Sequence, residues 1–127
     1  MSRPHTVVII EDDPQFLTLT AYLEDSGYVV LEGGDGLEGL ESFTRARPDI
    51  VLTDLRMPVL DGFGVITAIK RQSPTTPVIA FTGTGDPRAP EDALRLGAWG
   101  RLSKPMEDLG ILEAALAWAI EDAGEQT

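Results

Sequence analysis

The sequence predicts an α/β domain in which a five-stranded parallel sheet is covered by helices on both faces. Short apolar runs typical of buried strands alternate five times with segments that carry apolar residues at helical spacing. No return signal such as Asn-Gly predicts a hairpin between neighbouring runs. Each strand is therefore expected to run parallel to its neighbours, and polar residues follow most of these strands directly.

The first βα unit begins with the β-branched run 7–10, which ends abruptly at Glu11 and Asp12. Asp13 followed by Pro14 is typical of a helix N-cap with proline at the first helical position. A helix is expected to follow and to end at Gly27.

The second unit has a predicted strand at 28–31 and a glycine turn at Gly33-Gly34. The segment from Asp35 to Glu38 has the capping-box pattern that begins a helix, with an acid at its third position. Pro48 is expected to stop this helix.

The third strand, 50–53, ends directly at Asp54. A third helix is predicted from Phe63 to the Ser73-Pro74 pair. The fourth strand covers 77–81 and ends in Thr82, so a hydroxyl replaces the carboxylate at this strand end.

The last two units are less regular. Prolines at 87 and 90 permit only a short or late-starting fourth helix before Gly97. Gly100–Ser103 is the fifth predicted strand, and Lys104-Pro105 follows it.

The final helix is predicted to have two apolar faces. At about 100° per residue, Ile111 and Trp118 fall opposite Leu109. The face expected in the core carries Leu109, Leu112, Leu116 and Ile120. The second face is compatible with an interface and with incidental exposure.

Composition excludes several classes of protein. The 127 residues suit one domain, with a core at about 6–121 and an acidic tail at 122–127. Lys and Arg number 10 against 21 Asp and Glu, and a net charge of −11 disfavours nucleic acid and anionic membranes as direct partners. There is no cysteine, and neither a secretory segment nor a bilayer-spanning run is present, so a cytoplasmic protein is expected.

The strand ends bring together residues that suit phosphoryl chemistry. Three carboxylates in one crevice, from Glu11, Asp12 and Asp54, repel one another unless a cation such as Mg²⁺ neutralises them. An aspartate can attack phosphorus as a nucleophile, while a metal, a hydroxyl and an ammonium stabilise the transferring oxygens. Thr82 and Lys104 would supply the hydroxyl and the ammonium.

From Val7 to the last helix, the chain resembles the CheY-like receiver domain of two-component response regulators. The resemblance rests on 10–13 (Ile-Glu-Asp-Asp), 54–58 (Asp-Leu-Arg-Met-Pro) with Asp61-Gly62, Thr82, 96–98 (Leu-Gly-Ala) and Lys104-Pro105, in this order. It implies a flavodoxin-like, doubly wound (βα)5 fold with strand order 2-1-3-4-5.

The resemblance also implies roles. Asp54 would accept phosphate from a phosphohistidine of a sensor histidine kinase or phosphotransfer protein. Asp12, Asp54 and the backbone carbonyl of Arg56 would ligate Mg²⁺ or Mn²⁺, with Glu11 acting directly or through water. Thr82 would move toward the phosphoryl group and Lys104 would bind it. Such a receiver loses its phosphate slowly and is not a multiple-turnover enzyme.

One departure from the family concerns the position three residues before the lysine, where receivers usually carry Tyr or Phe as a switch. Here that residue is Arg101. Trp99, two residues earlier and expected on the same side of the strand, is a candidate substitute. A partner or a second copy is expected on the face of the fourth helix, fifth strand and fifth helix.

Two other functions compete with this one. A phosphohydrolase of the haloacid-dehalogenase type would need a second acid two residues after the nucleophile, where this chain has Arg56. A receiver that binds partners without phosphorylation would not need the acidic residues, Thr82 and Lys104 together. The sequence leaves open whether this receiver acts alone or belongs to a longer protein.

Overall fold

The computed structural model describes residues 4–12, 17–57, 59–83, 88–103 and 108–125. Within them, five strands and five helices alternate, which confirms the predicted βα order. The strands are β1 (Thr6–Ile10), β2 (Val29–Gly33), β3 (Ile50–Asp54), β4 (Val78–Thr82) and β5 (Gly100–Ser103). The helices are α1 (Leu17–Asp25), α2 (Gly36–Ala46), α3 (Gly62–Gln72), α4 (Ala89–Arg95) and α5 (Leu109–Glu125).

The strands form one parallel sheet in the order β2-β1-β3-β4-β5, as predicted. After β1 the chain moves outward to β2 and then crosses to β3 on the other side of β1. This reversal of winding opens a crevice at the C-terminal ends of β1 and β3, where doubly wound sheets bind ligands. Ile10 pairs with Thr53 at this edge, so Asp54 and the residues after Ile10 lie next to one another.

Alternate residues of the central strands pack into two separate cores. Val8 and Ile10 face the core that contains side chains of α2, α3 and α4. Val7 and Ile9 face the core that contains side chains of α1 and α5. Because β3 and β4 are buried along their whole length, their sequences are apolar runs rather than alternating patterns.

The helix boundaries follow the predicted capping residues where the structure describes them. Asp35 caps α2 by accepting a hydrogen bond from the Glu38 amide at 2.8 Å. Gly27, with φ of +99°, ends the turn after α1 in the left-handed region that favours glycine. The predicted cap at Asp13 lies outside the described residues.

The second strand lies further along the chain than predicted. It was expected at 28–31, whereas pairing with β1 extends to Gly33, whose carbonyl accepts from the Glu11 amide at 3.0 Å. The edge position of β2 explains the difference, because an edge strand can expose polar residues such as Glu32.

Helix α5 has 17 residues and shows the two predicted faces. Leu112 and Leu116 are fully buried, while Ile111 and Trp118 are 58% and 69% exposed. The prediction that 122–127 form an acidic tail outside the last helix is wrong for 122–125, because these residues belong to α5. Asp122 accepts a hydrogen bond from the Trp99 indole at 2.8 Å, which ties this end of α5 to the sheet. None of the described helices has the length and hydropathy that a membrane span requires.

Candidate functional site

Three carboxylates meet at the crevice between β1 and β3, as the strand ends predict. Oxygen atoms of Glu11, Asp12 and Asp54 all lie within 4.8 Å of one another. Asp54 is only 6% exposed, whereas Glu11 is half-buried and Asp12 is exposed. The cluster therefore has one almost buried carboxylate at its base and one side open to solvent.

This arrangement fits a hard divalent cation. Three negative charges this close repel one another, and the repulsion is relieved when a cation binds between them. Carboxylate oxygens on an open rim suit Mg²⁺, which keeps several waters and takes few protein ligands. The donor set is therefore compatible with the magnesium site that the sequence predicts.

Local hydrogen bonds fix the orientation of Asp54. The Arg56 amide donates to Oδ1 of Asp54 at 3.3 Å. On the buried side, the Thr53 hydroxyl donates to the backbone oxygen of Asp54 at 2.9 Å. The carboxylate is thus held at the mouth of the crevice, with one oxygen engaged by the loop that follows.

The described part of that loop, residues 55–57 and 59–61, is closed by a backbone hydrogen bond and lies close to three glycines. The Gly62 amide donates to the backbone oxygen of Leu55 at 3.1 Å, which brings the two ends of the loop together. A Cβ on Gly62 would overlap the backbone of Asp54, and a Cβ on Gly36 of α2 would overlap the backbone oxygen of Leu60. A Cβ on Gly64 would overlap the side chain of Leu60. Leu60 therefore sits in a notch that exists only because Gly36 and Gly64 lack side chains.

Substituting Gly36→Ala is expected to lower the free energy of unfolding by about 1–3 kcal/mol. The new methyl group meets backbone atoms of Leu60, which cannot move aside as a flexible side chain can. Chemical denaturation of the variant and the wild type measures the difference.

The matched control is Gly124→Ala in α5, where a new Cβ would meet nothing within 4 Å. Its stability should be unchanged or slightly higher, because alanine favours a helix over glycine. Equal stability of Gly36→Ala and the wild type would contradict the close approach of α2 to the loop.

Of the two further groups predicted for the site, the structure describes the Thr82 hydroxyl but not the Lys104 ammonium. Thr82 is the last residue of β4 and is 6% exposed. Phe81 pairs with Asp54, so Thr82 lies one residue further toward the same edge. A Cβ on Gly83 would meet nothing within 4 Å, which leaves open space beside this strand end. Lys104 lies outside the described residues, and its role stays a prediction.

The two candidates for a switch residue lie on different sides of the sheet. Arg101 is exposed and pairs with Ala80, whose side chain belongs to the core under α2, α3 and α4. Trp99 packs against the opposite core. The expectation that they share one side is wrong, because β5 begins at Gly100 and strand alternation does not extend to Trp99.

Trp99 is also far from the site along the strand direction. Its amide donates to the Val78 carbonyl at 2.7 Å, at the start of β4, whereas Thr82 ends that strand. Four residues of strand correspond to about 13 Å. Trp99 is therefore poorly placed to contact Thr82 directly, and it instead stacks edge-on against Trp118 with ring centroids 6.0 Å apart.

Sequence reasoning missed the glycine notch and the bond between Trp99 and Asp122. The notch depends on α2 and the β3–α3 loop, which are distant in sequence. Trp99 and Asp122 are 23 residues apart and share no local motif. One local signal was available: Gly36 follows Asp35 within the capping-box pattern. A glycine at that position allows another part of the backbone to approach closely.

Comparison with known proteins agrees with this geometry. The family model described as "Response regulator receiver domain" matches residues 7–116. The chain is 32% identical over 112 residues to Protein CcdB of Bacillus subtilis, covering 86% of this chain and 93% of that protein. It is 34% identical over 126 residues to the transcriptional regulatory protein GlrR of Escherichia coli, covering 98% of this chain. The chain spans only 27% of the length of GlrR.

Solved structures show the same fold. A response regulator receiver domain protein from Clostridium thermocellum superposes with a TM-score of 0.89 at 32% identity. The superposition covers 97% of this chain and 99% of that one. The chemotaxis protein CheY4 of Vibrio cholerae gives a TM-score of 0.83 at 29% identity, covering 91% of this chain and 98% of that one.

Proposed function

Because this chain belongs to the response regulator receiver domain family, we propose that it is a receiver controlled by phosphorylation of Asp54. The phosphoryl group would come from a phosphohistidine of a sensor histidine kinase or a histidine phosphotransfer protein. The observation that carries the proposal is the convergence of Glu11, Asp12 and Asp54 within 4.8 Å at the switch point of the sheet. Asp54 is the carboxylate at the base of that cluster.

We propose one role in the phosphoryl transfer for each group. A carboxylate oxygen of Asp54 forms a bond to phosphorus, while the bond from phosphorus to the donor imidazole nitrogen breaks and its electron pair stays on that nitrogen. Glu11, Asp12, Asp54 and the backbone carbonyl of Arg56 would hold Mg²⁺ or Mn²⁺, which neutralises charge on the transferring oxygens. Thr82 would donate its hydroxyl to a phosphoryl oxygen, and Lys104 would pair with another.

A phosphohydrolase is less well supported. Members of this family are signalling domains and not multiple-turnover enzymes. A hydrolase of the dehalogenase type needs a general acid two residues after its nucleophile, and Arg56 stands there. The phosphate on Asp54 is therefore expected to persist as a signal and to be lost slowly.

Incubation with acetyl phosphate and Mg²⁺ tests the proposal, with intact mass as the measurement. We expect one phosphate on each chain and no incorporation when a chelator removes the metal. Consumption of many acetyl phosphate molecules per chain, faster than the phosphoprotein decays, would favour a hydrolase. If no phosphorylated protein forms either with Mg²⁺ or with the chelator, a binding module that works without phosphorylation would be favoured.

The output of the receiver is proposed to be a protein contact in the cytoplasm. Large apolar side chains are exposed on α4, on α5 and at the residue that follows α4, and Arg101 is exposed on β5 between these helices in the chain. These apolar residues are Leu94, Leu96, Ile111 and Trp118. A downstream effector protein or a second copy of the chain would bind there. The acidic chain itself is not proposed to contact nucleic acid or membranes, although GlrR is a transcriptional regulatory protein.

Trp118→Ala is expected to weaken self-association or effector binding without unfolding the domain. Trp118 is 69% exposed, so its removal leaves no cavity in either core, and large aromatic residues often dominate interfaces. Sedimentation velocity and thermal unfolding measure the two properties. Leu37→Ala, at an exposed leucine of α2, is the control and should leave association unchanged. Identical sedimentation and effector affinity for wild type and Trp118→Ala would exclude this face as the interface.

A further inference from the structure

Three exposed arginines lie at the C-terminal ends of α2 and α3, in a chain that is strongly acidic. They are Arg45 in the last turn of α2, Arg47 at the C-cap of that helix and Arg71 in the last turn of α3. The chain has only 10 basic residues against 21 acidic ones, and its net charge is −11. These three residues, called the arginine cluster below, therefore form a local exception to the charge of the whole chain.

A contact between α2 and α3 places Arg45 and Arg71 at the same level of the surface. The Thr44 hydroxyl donates to Oε1 of Gln72 at 3.3 Å, which holds the last turns of the two helices side by side. Arg45 and Arg71 are the chain neighbours of this pair, and at about 100° per residue each lies on the outer side of its helix. Packed helices are about 8–10 Å apart, so both arginines extend from adjacent points on one face.

The charges of the arginine cluster are not neutralised within the part of the chain that the structure describes. None of the three forms an ion pair there. Lys70, the fourth cation of these helix ends, is different, because its Nζ donates to the backbone oxygens of Pro74 and Thr76 at 3.3 and 2.6 Å. Asp49, the next acid after α2, accepts a hydrogen bond from the Thr6 amide at 2.8 Å. The arginines are thus available to an external anion.

A groove on α2 leads to the arginine cluster. It has a volume of about 470 Å³ and is lined by Leu37, Leu40, Glu41, Thr44 and Arg45. Leu37 is 52% exposed and Leu40 is half-buried, so the groove is apolar near the start of the helix and cationic at its end. Glu41 lies between the two parts and disfavours an anion there. A ligand that fits would carry an apolar group at one end and anionic groups at the other.

The charge of the rest of the chain limits the size of such a ligand. At physiological ionic strength, charges act over about 8 Å. A long polyanion such as a nucleic acid, or an anionic membrane, would extend past the cluster and meet the acidic surface around it. A short run of Asp and Glu can be confined to the cluster, where each guanidinium can form two parallel hydrogen bonds to one carboxylate.

We propose that the arginine cluster and the groove form a docking site for a short acidic segment of a partner protein. Carboxylates of the segment would pair with Arg45, Arg47 and Arg71, and an adjacent apolar side chain would pack between Leu37 and Leu40. This site is separate from the face of α4, β5 and α5 that is proposed for the effector. It does not depend on phosphorylation of Asp54.

Fluorescent peptides of about 12 residues, each with a run of Asp and Glu and one leucine at a varied distance from it, test the proposal. We expect at least one peptide to bind the unphosphorylated chain saturably in fluorescence anisotropy, and more weakly as salt is added. For that peptide, the double variant Arg45→Gln with Arg71→Gln should bind about tenfold more weakly, and Leu37→Ala about fivefold more weakly. Trp118→Ala, on the other proposed face, should bind like the wild type.

Arg47→Gly separates binding from stability. Arg47 has a φ of 47°, in the left-handed region that glycine adopts most readily. The variant should therefore have a Tm equal to or higher than that of the wild type, while its affinity for the peptide falls. Unchanged affinity in this variant and in the double variant would overturn the proposal.

The matched control is the double variant Arg95→Gln with Arg101→Gln, which loses the same two charges from exposed positions on α4 and β5. It should bind the peptide as the wild type does, and an equal loss in both double variants would show a response to net charge alone. Tighter binding of a single-stranded oligonucleotide of similar charge, or no saturable binding of any peptide, would also overturn the proposal. No phosphodonor is present, so these outcomes leave the proposed phosphorylation of Asp54 unaffected.

Discussion

Asp54→Asn is expected to take up no phosphate from acetyl phosphate, whereas the wild type takes up one group per chain. An amide nitrogen or oxygen is a much weaker nucleophile than a carboxylate, so the phosphorus–oxygen bond cannot form at a useful rate. The substitution preserves shape, and the amide oxygen can still accept the hydrogen bond from the Arg56 amide. The variant should therefore be folded, and intact mass after incubation with Mg²⁺ measures the loss.

Asp61→Asn provides the control within the same loop. Asp61 caps α3 by accepting a hydrogen bond from the Gly64 amide at 3.0 Å, and asparagine is an equally good cap. This variant should be phosphorylated as the wild type is. A phosphate on Asp54→Asn, or its loss in Asp61→Asn alone, would assign the acceptor to another residue.

Asp12→Asn is expected to weaken Mg²⁺ binding on the order of 100-fold while making the metal-free protein more stable. Because Asp12 is exposed, a dication a few ångströms away loses about 2–3 kcal/mol of attraction in a water-like dielectric, which corresponds to a roughly 100-fold weaker affinity. Without metal, the same substitution should stabilise the folded protein. Oxygens of three carboxylates lie within 4.8 Å of one another, and the substitution removes one of the repelling charges. The expected gain in unfolding free energy is about 1 kcal/mol in a water-like dielectric.

Calorimetric titration with Mg²⁺ and denaturation in a chelator measure the two effects. Asp35→Asn, at the cap of α2, is the control and should change neither the affinity nor the metal-free stability by much. An unchanged Mg²⁺ affinity of Asp12→Asn would show that the carboxylate cluster is not the metal site. Lower stability of this variant without metal would contradict the mutual repulsion of the carboxylates.

The sequence predicts the sheet and the acidic cluster because both depend on local patterns. Buried parallel strands are continuous apolar runs, and the residue after each run lies at one edge of the sheet, so Asp54 and Glu11 could be placed beforehand. Strand β2 was harder to place, since an edge strand exposes residues such as Glu32 and lacks a clear apolar boundary.

Features that depend on contacts between distant elements could not be predicted. Trp99 was expected on the side of Arg101, but the alternation of a strand does not extend beyond its first residue. The helical conformation of 122–125 accompanies a hydrogen bond from Trp99 to Asp122. The notch that holds Leu60 is built by two glycines of different helices, and no motif around Leu60 indicates it.

The most direct test of the account is to locate the phosphate chemically. Borohydride reduces an aspartyl phosphate to homoserine, which peptide mass mapping then identifies at its position in the chain. After phosphorylation by acetyl phosphate with Mg²⁺, we predict homoserine at position 54 and aspartate at positions 12, 13 and 61. Homoserine at any of these other positions, or none at position 54 in a protein that carries the phosphate, would contradict the account.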